Sequence, residues 1–204
     1  MTSRPSAEAP PVSGIVLAGG RSSRFGSDKL RAEIAGRSLL ELAIDAVAAV
    51  ATEVVVVLAP DDDRALPSCA VPIRRTADPE AYGGPLVGLL AGLEQAQEPF
   101  VVAVGGDMPS ARPAILAALV RALSSSPDHI GAAVLASQGR LGPLPVVLRT
   151  GSATDVVRRL VADGERRLRS TFERIPTRIL DEAEWRPLDP EGATLRDVDR
   201  PADL

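Results

Sequence analysis

The stretch GIVLAGGRSSRFGSDKLRAEIAG, residues 14–36, decides the architecture. It opens as an apolar strand, GIVLA at 14–18, and breaks at Gly19 and Gly20. Arg21, Arg24 and Lys29 then follow in a short loop. A strand running into a glycine loop is the layout that turns backbone N–H groups toward phosphates. Gly19 and Gly20 allow close approach and a positive φ. Two familiar phosphate motifs are missing. A P-loop needs G-x-x-x-x-G-K-[ST], but Gly26 is followed by Ser27 and Asp28, and the dinucleotide fingerprint G-x-G-x-x-G is absent. Local composition leaves an anion site and a solvated loop about even. Clustered cations in a chain of formal net charge −4 tip the balance toward an anionic ligand.

Outward from this stretch, strand-length apolar runs alternate with helix-period segments. Strands are expected at 14–18, 53–59, 71–76 and 100–107, and helices at 38–50, 84–97 and 112–123. The first helix carries a capping box, Ser38 with Glu41. The β-branched run EVVVVLA (53–59) should be covered on both faces. This alternation predicts a mostly parallel sheet with helices on both sides, a single-domain α/β three-layer sandwich of Rossmann-like type. The second half predicts strands at 131–137 and 144–150 joined by QGRLGP, a helix over 153–174 interrupted near Gly164, short strands at 175–180 and 193–199, and a last helical turn at RPADL. No repeat or composition break divides the chain. Residues 1–13, rich in Pro, Ser and Ala, read as a flexible tail before a domain spanning 14–204.

Composition excludes several classes. A chain of 204 residues that is 45% hydrophobic suits one soluble domain. Aromatics at 2% cannot build a stacking platform for single-stranded nucleic acid, and an acidic balance disfavours duplex binding, so no nucleic-acid partner is expected. One cysteine and one histidine leave no intrachain disulfide and no Cys/His zinc site. Cys69, in LPSCAVP, reads as a loop or strand-edge residue, and His129 as a surface residue before a strand. No apolar run approaches a membrane span, and the opening lacks the apolar core of a secretory signal. The expected compartment is the cytoplasm, with no membrane partner.

LAGGRSSRFGSDK (17–29) resembles the signature L-A-G-G-x-S-x-R-[MF]-G-x-D-K of the nucleotidyltransferases related to molybdenum cofactor guanylyltransferase. Four later segments resemble further motifs of that family in order. They are DPEAYGGPLVGLLAGL (78–93), VVAVGGDMP (101–109), GERRLRSTF (164–172) and LRDVDRPADL (195–204). The resemblance covers nearly the whole chain after residue 13. It implies the nucleotide-diphospho-sugar transferase type of fold and an enzyme that transfers GMP from GTP to molybdenum-loaded molybdopterin. Pyrophosphate is released, with Mg²⁺ as cofactor.

The same resemblance assigns roles. Leu17, Ala18 and Gly19 lie against the base and sugar by backbone contacts, and Gly20 joins them as a nucleotide-binding residue. Arg24 and Lys29 neutralise phosphates, with Arg21 a weaker candidate, and Asp28 orients Lys29 or caps the turn. Asp78 and Gly84 belong to the nucleotide-binding segment. Asp107, ending a strand, holds Mg²⁺, and Asp199 is a further metal candidate beside Asp197. Arg166 and Arg167 face the phosphate of the second substrate. No protein nucleophile is required. GTP and molybdenum-molybdopterin are the implied small-molecule partners, and molybdoenzymes or cofactor chaperones are implied as transient contacts. Two alternatives stand beside this reading. One is a sibling transferase using CTP or another phosphorylated acceptor, and the other is a non-catalytic carrier that keeps the fold.

Overall fold

The computed structural model describes residues 10–20, 29–78 and 83–204. Among these, nine strands and five α-helices follow in order. They are β1 (Val12–Leu17), the hairpin β2 (Glu33–Ile34) and β3 (Arg37–Ser38), α1 (Leu39–Ala48), β4 (Glu53–Leu58), β5 (Ile73–Ala77), α2 (Pro85–Gln95), β6 (Phe100–Gly105), α3 (Pro113–Ser124), β7 (Ala132–Ser137), β8 (Arg140–Arg149), α4 (Thr150–Ala162), β9 (Thr177–Leu180) and α5 (Glu182–Trp185). One seven-stranded sheet has the order β5-β4-β1-β6-β8-β7-β9. Every adjacent pair is parallel except those made by β8, which runs antiparallel to both β6 and β7.

Period-2 alternation sends side chains to two cores. Val16, Val54, Val56, Val102 and Val104 face α1 and α3, packing on Leu40, Ile44, Ile115 and Leu119. Ile15, Val57, Val101 and Ala103 face the other way, toward Leu86, Leu89 and Leu93 of α2 and Val157 of α4. Each such buried side chain contributes about 1.5–3 kcal/mol. That is why the near-continuous β-branched run of β4 is tolerated: it is buried along its whole length.

α2 turns Gly88 and Gly92, on one helix face, toward the sheet. A Cβ at Gly92 would stand 2.8 Å from Ile15 Cδ1 and Cγ2. Gly92→Val is therefore expected to destabilise by about 1–3 kcal/mol through overpacking. Thermal unfolding reads this at roughly 2–4 °C of Tm per kcal/mol for a chain of this size. An unchanged Tm would contradict the close approach.

Several boundaries differ from the sequence reading for identifiable reasons. β1 starts at Val12, inside the expected tail, because Val12 and Ser13 pair with β6 and β4. Only half of the capping box forms. Ser38 Oγ accepts Glu41 N at 3.2 Å, but the Glu41 carboxylate turns to Arg37 Nε at 3.0 Å. The expected loop between β7 and β8 is a two-residue turn at Gln138 and Gly139, both at positive φ, so β8 extends back to Arg140. α4 ends at Ala162, Gly164 takes φ +85, and a 3-10 turn at Leu168–Glu173 replaces the rest of the expected helix. Residues 193–199 are not a strand. They form a 3-10 turn at Ala193–Leu195 and then an extended arm. Their backbone groups are taken by Asp189 and by the loop after β6 rather than by a ladder. The last turn, Pro201–Asp203, forms as expected. No helix among the described residues is long and apolar enough to cross a membrane.

Candidate active site

β1 and β6 are neighbours, but the chain leaves them in opposite directions across the sheet, toward β4 from one and toward β8 from the other. Their carboxyl ends flank a topological switch point, where open α/β sheets bind ligands. Leu17 closes β1 there, and its carbonyl accepts the Gly106 N–H at 2.9 Å, one residue before Asp107. The two halves of the site are thus tied through one hydrogen bond.

One half is a cleft of about 300 Å³ lined by Leu17, Gly19, Gly20, Val57, Asp78, Gly84, Pro85 and Gly88. Five residues predicted to contact nucleotide meet here: Leu17, Gly19, Gly20, Asp78 and Gly84. Ala18 does not join them with its side chain, which is buried on the α1 and α3 face, and its N–H is held by Val57 O at 2.8 Å. Gly19 and Gly20 are absent from the positive-φ residues, so their use is close approach rather than backbone strain. A Cβ at Gly20 would meet no atom of the described residues within 4 Å, and one at Gly19 would touch the Leu58–Ala59 backbone at 3.4 Å. Asp78 is buried at the cleft wall, with its N–H on Leu58 O at 2.8 Å. Gly84 sits at φ +100, and a Cβ there would lie 3.0 Å from Arg166 Cβ and 3.1 Å from Arg166 O. Only glycine meets both demands at the start of α2.

The other half is ionic. Lys29, in the 3-10 turn Lys29–Arg31, places Nζ 2.7 Å from Asp107 Oδ2 and 3.2 Å from Asp199 Oδ1. Burial pulls the Lys29 pKa down, but hydrogen bonds and charge from Asp107 and then Asp199 outweigh it. The net shift is upward, and the ammonium stays charged. Asp107, Asp197 and Asp199 each offer a carboxylate oxygen, all within 4.8 Å of one another. Desolvation by the surrounding protein raises the Asp197 pKa, and the charges of Asp199 and Asp107 add to it, although its side chain keeps solvent contact. A set of hard, anionic oxygen donors fits Mg²⁺ or Mn²⁺ and not a soft metal.

Two alternative roles for these acids fail on geometry. The residue that caps α3 is Arg112, so Asp107 is no helix cap. Arg200 precedes the final turn, and the Asp203 carboxylate accepts the Asp199 and Arg200 N–H groups, so Asp199 is no cap either. Arg21, Arg24 and Asp28 lie outside the described residues. Among the described residues, Lys29 pairs with two of the three carboxylates of this cluster.

Two organising acids escaped the sequence reading. The Arg167 guanidinium, at 3.0–3.1 Å, and Ser170 Oγ, at 2.6 Å, hold the Glu165 carboxyl far below the usual range, helped by the Arg167 and Arg166 N–H groups at 3.0 and 2.8 Å. It shapes the turn whose Arg166 carbonyl accepts Leu86 N at 3.2 Å. Arg166 donates to Val161 O and Glu165 O, and Arg167 pairs with Glu165 while largely exposed. The second acid is Asp189, fully buried and bonded to the arm that carries Asp197 and Asp199. The partners of Glu165 lie within five residues of it, whereas Asp189 also reaches the distant Arg112. His129 is exposed in a turn, as expected, and Cys69 is partly buried in a loop.

A switch-point cleft of this size beside a lysine and three carboxylates suits a ligand that carries a base and phosphates. Comparison with known proteins agrees. The MobA-like NTP transferase domain matches residues 14–179. A Chloroflexus aggregans protein named as a probable molybdenum cofactor guanylyltransferase is 36% identical over 95% of this chain and 91% of its own length. The solved molybdopterin-guanine dinucleotide biosynthesis protein A of Archaeoglobus fulgidus superposes with a TM-score of 0.76 at 21% identity, covering 94% of each chain. A Mycobacterium tuberculosis protein solved in complex with manganese superposes with a TM-score of 0.63 at 18% identity, covering 84% of this chain and 88% of that one. The chain belongs to the MobA-like NTP transferase family, alongside the relatives named molybdenum cofactor guanylyltransferase.

Proposed function

We propose that this protein transfers GMP from GTP to the terminal phosphate of molybdenum-loaded molybdopterin in the cytoplasm. The acceptor phosphate oxygen attacks the α-phosphorus of GTP. The bond from that phosphorus to the bridging oxygen breaks, and pyrophosphate leaves with the bonding pair. The observation that carries this reading is the junction of two features at one switch point: the base-sized cleft at Gly19, Asp78 and Gly84, and the Lys29–Asp107–Asp199 cluster one hydrogen bond away. Family membership supplies the choice of substrates.

No side chain serves as nucleophile, so catalysis reduces to alignment and charge neutralisation. Leu17, Gly19 and Gly20 hold the nucleoside by close approach. Asp78, in the same cleft lining, is assigned to read the nucleoside. Lys29 supplies a point charge toward the phosphates, and Arg24, in the same loop, is assigned the same task. Asp107 and Asp199, with Asp197 as a third ligand, hold Mg²⁺. When bound, the ion neutralises triphosphate oxygens as a Lewis acid. Arg166, whose backbone packs behind Gly84, and Arg167 are assigned to the acceptor phosphate.

GTP labelled at the α-phosphorus tests the reaction. The label is expected in the pterin product. Label retained in free nucleotide, with the folded protein and loaded acceptor present, would exclude nucleotidyl transfer. A second expectation concerns Gly105, where an added Cβ would collide with Asp107 Oδ1. Gly105→Ala is expected to push the carboxylate out of register and to cost on the order of 10²-fold in turnover, the scale of an ångström misplacement. Initial rates at saturating GTP measure it, and full activity would mean that this turn does not set the position of Asp107.

A further inference from the structure

The arm at 196–199 lies outside the sheet, so something else must fix where Asp197 and Asp199 stand. Three attachments do so. Val198 is buried, and its N–H reaches Asp107 O at 2.9 Å. Leu195 packs on β8 at Gly142, where a Cβ would lie 3.3 Å from Leu195 Cδ2. The third attachment is ionic and buried. Asp189 has no exposed surface, and its carboxylate accepts Ala193 N at 3.1 Å and Thr194 N at 2.7 Å. It also pairs with Arg112 Nε at 3.0 Å, and the Arg112 N–H bonds Thr194 Oγ1 at 3.1 Å.

Asp107 and Arg112 stand at the two ends of the connection from β6 to α3. The arm is stitched to both ends: through Val198 at Asp107, and through Asp189 and Thr194 at Arg112. We propose that Asp189, paired with Arg112, is a positioning residue that holds the 193–199 arm so that Asp197 and Asp199 face Asp107. Resting on the reading of these acids as a cation site, the inference adds what sets their spacing. A buried acid that satisfies two backbone donors and one guanidinium has its rotamer fixed from three sides. The arm inherits that order, as a ligand does from the outer groups that orient it.

The test uses the full chain and manganese as the probe. Mn²⁺ affinity is measured by titration of the free-ion spin signal, and hydrogen exchange is followed in peptides covering 193–200. Asp189→Asn and Arg112→Gln are the working variants, because each keeps part of the network and Arg112 is partly exposed. Both are expected to weaken Mn²⁺ binding by about 10–100-fold, the usual cost of losing an orienting group. Exchange should quicken in 193–200 and stay unchanged in β4 and β6. In an Asp197→Ala/Asp199→Ala background, Asp189→Asn should add little, since it acts through those two residues. Affinity within twofold of the parent, full additivity in that background, or exchange that quickens everywhere would each overturn the proposal. Absence of Mn²⁺ binding by the parent chain would sink the cation-site reading instead, and local exchange in the arm would still decide whether Asp189 holds it.

Discussion

Asp107→Ala is expected to lower turnover by about 10²–10³-fold, roughly 3–4 kcal/mol of transition-state stabilisation, while the fold survives. The substitution is clean because the residue's two jobs are separable. Its carbonyl anchors Val198 N, and alanine keeps that bond. Its carboxylate pairs with Lys29 at 2.7 Å and belongs to the acid trio, and alanine removes both. Stability should change little. The side chain is 28% exposed, and a partly solvated ion pair is worth about 0–1 kcal/mol. Mn²⁺ affinity should fall together with turnover. Initial rates, ion binding and Tm on one preparation separate a chemical loss from unfolding. A variant with parental turnover would remove Asp107 from the machinery.

Lys29→Met is expected to lose turnover on the same scale, about 10²–10³-fold, but to move metal affinity the other way. Methionine keeps most of the volume of a side chain that is only 14% exposed and removes the charge. In the parent chain the ammonium sits between Asp107 and Asp199 and offsets their repulsion. Without it, the carboxylates repel one another and accept a divalent ion more readily, so Mn²⁺ should bind several-fold tighter. The phosphates meanwhile lose a fixed positive charge. Opposite signs in ion affinity, with equal loss of rate, distinguish a lysine that serves the substrate from one that merely holds the acids apart. If Lys29→Met weakened ion binding, the lysine would be a scaffold for the acids and not a phosphate group.

What was legible in the chain was whatever is coded within a few neighbours. The strand-to-glycine break at Leu17–Gly20, the strand-terminal Asp107 and the helix opening at Gly84–Pro85 each carry a local signature, and the structure brings them to one switch point. β1, β4 and β6 were legible because burial on both faces leaves near-continuous apolar runs. The 33–38 hairpin was not, since two-residue strands carry no period and its turn places Ala35 at positive φ. The arm at 193–199 misled because ATLRDVD alternates like a strand, while its hydrogen bonds go to Asp189, to Asp107 and, from Thr194, to Arg112 at 82 residues' separation. The ion pairing of Lys29 with Asp107 and Asp199 carries no local signal. Asp107 and Asp199 are far apart in sequence, and only the fold sums their charges at one point.

The most direct measurement is pyrophosphate release by the purified protein with Mg²⁺ and molybdenum-loaded molybdopterin, comparing GTP, CTP and ATP, with a related active enzyme as positive control. Release with GTP alone, lost in Asp107→Ala, is the expected result. Release with CTP would assign the chain to a cytidylyl branch of the fold. No release with any nucleotide, from folded protein, would contradict transfer to molybdopterin and leave another acceptor or a carrier role.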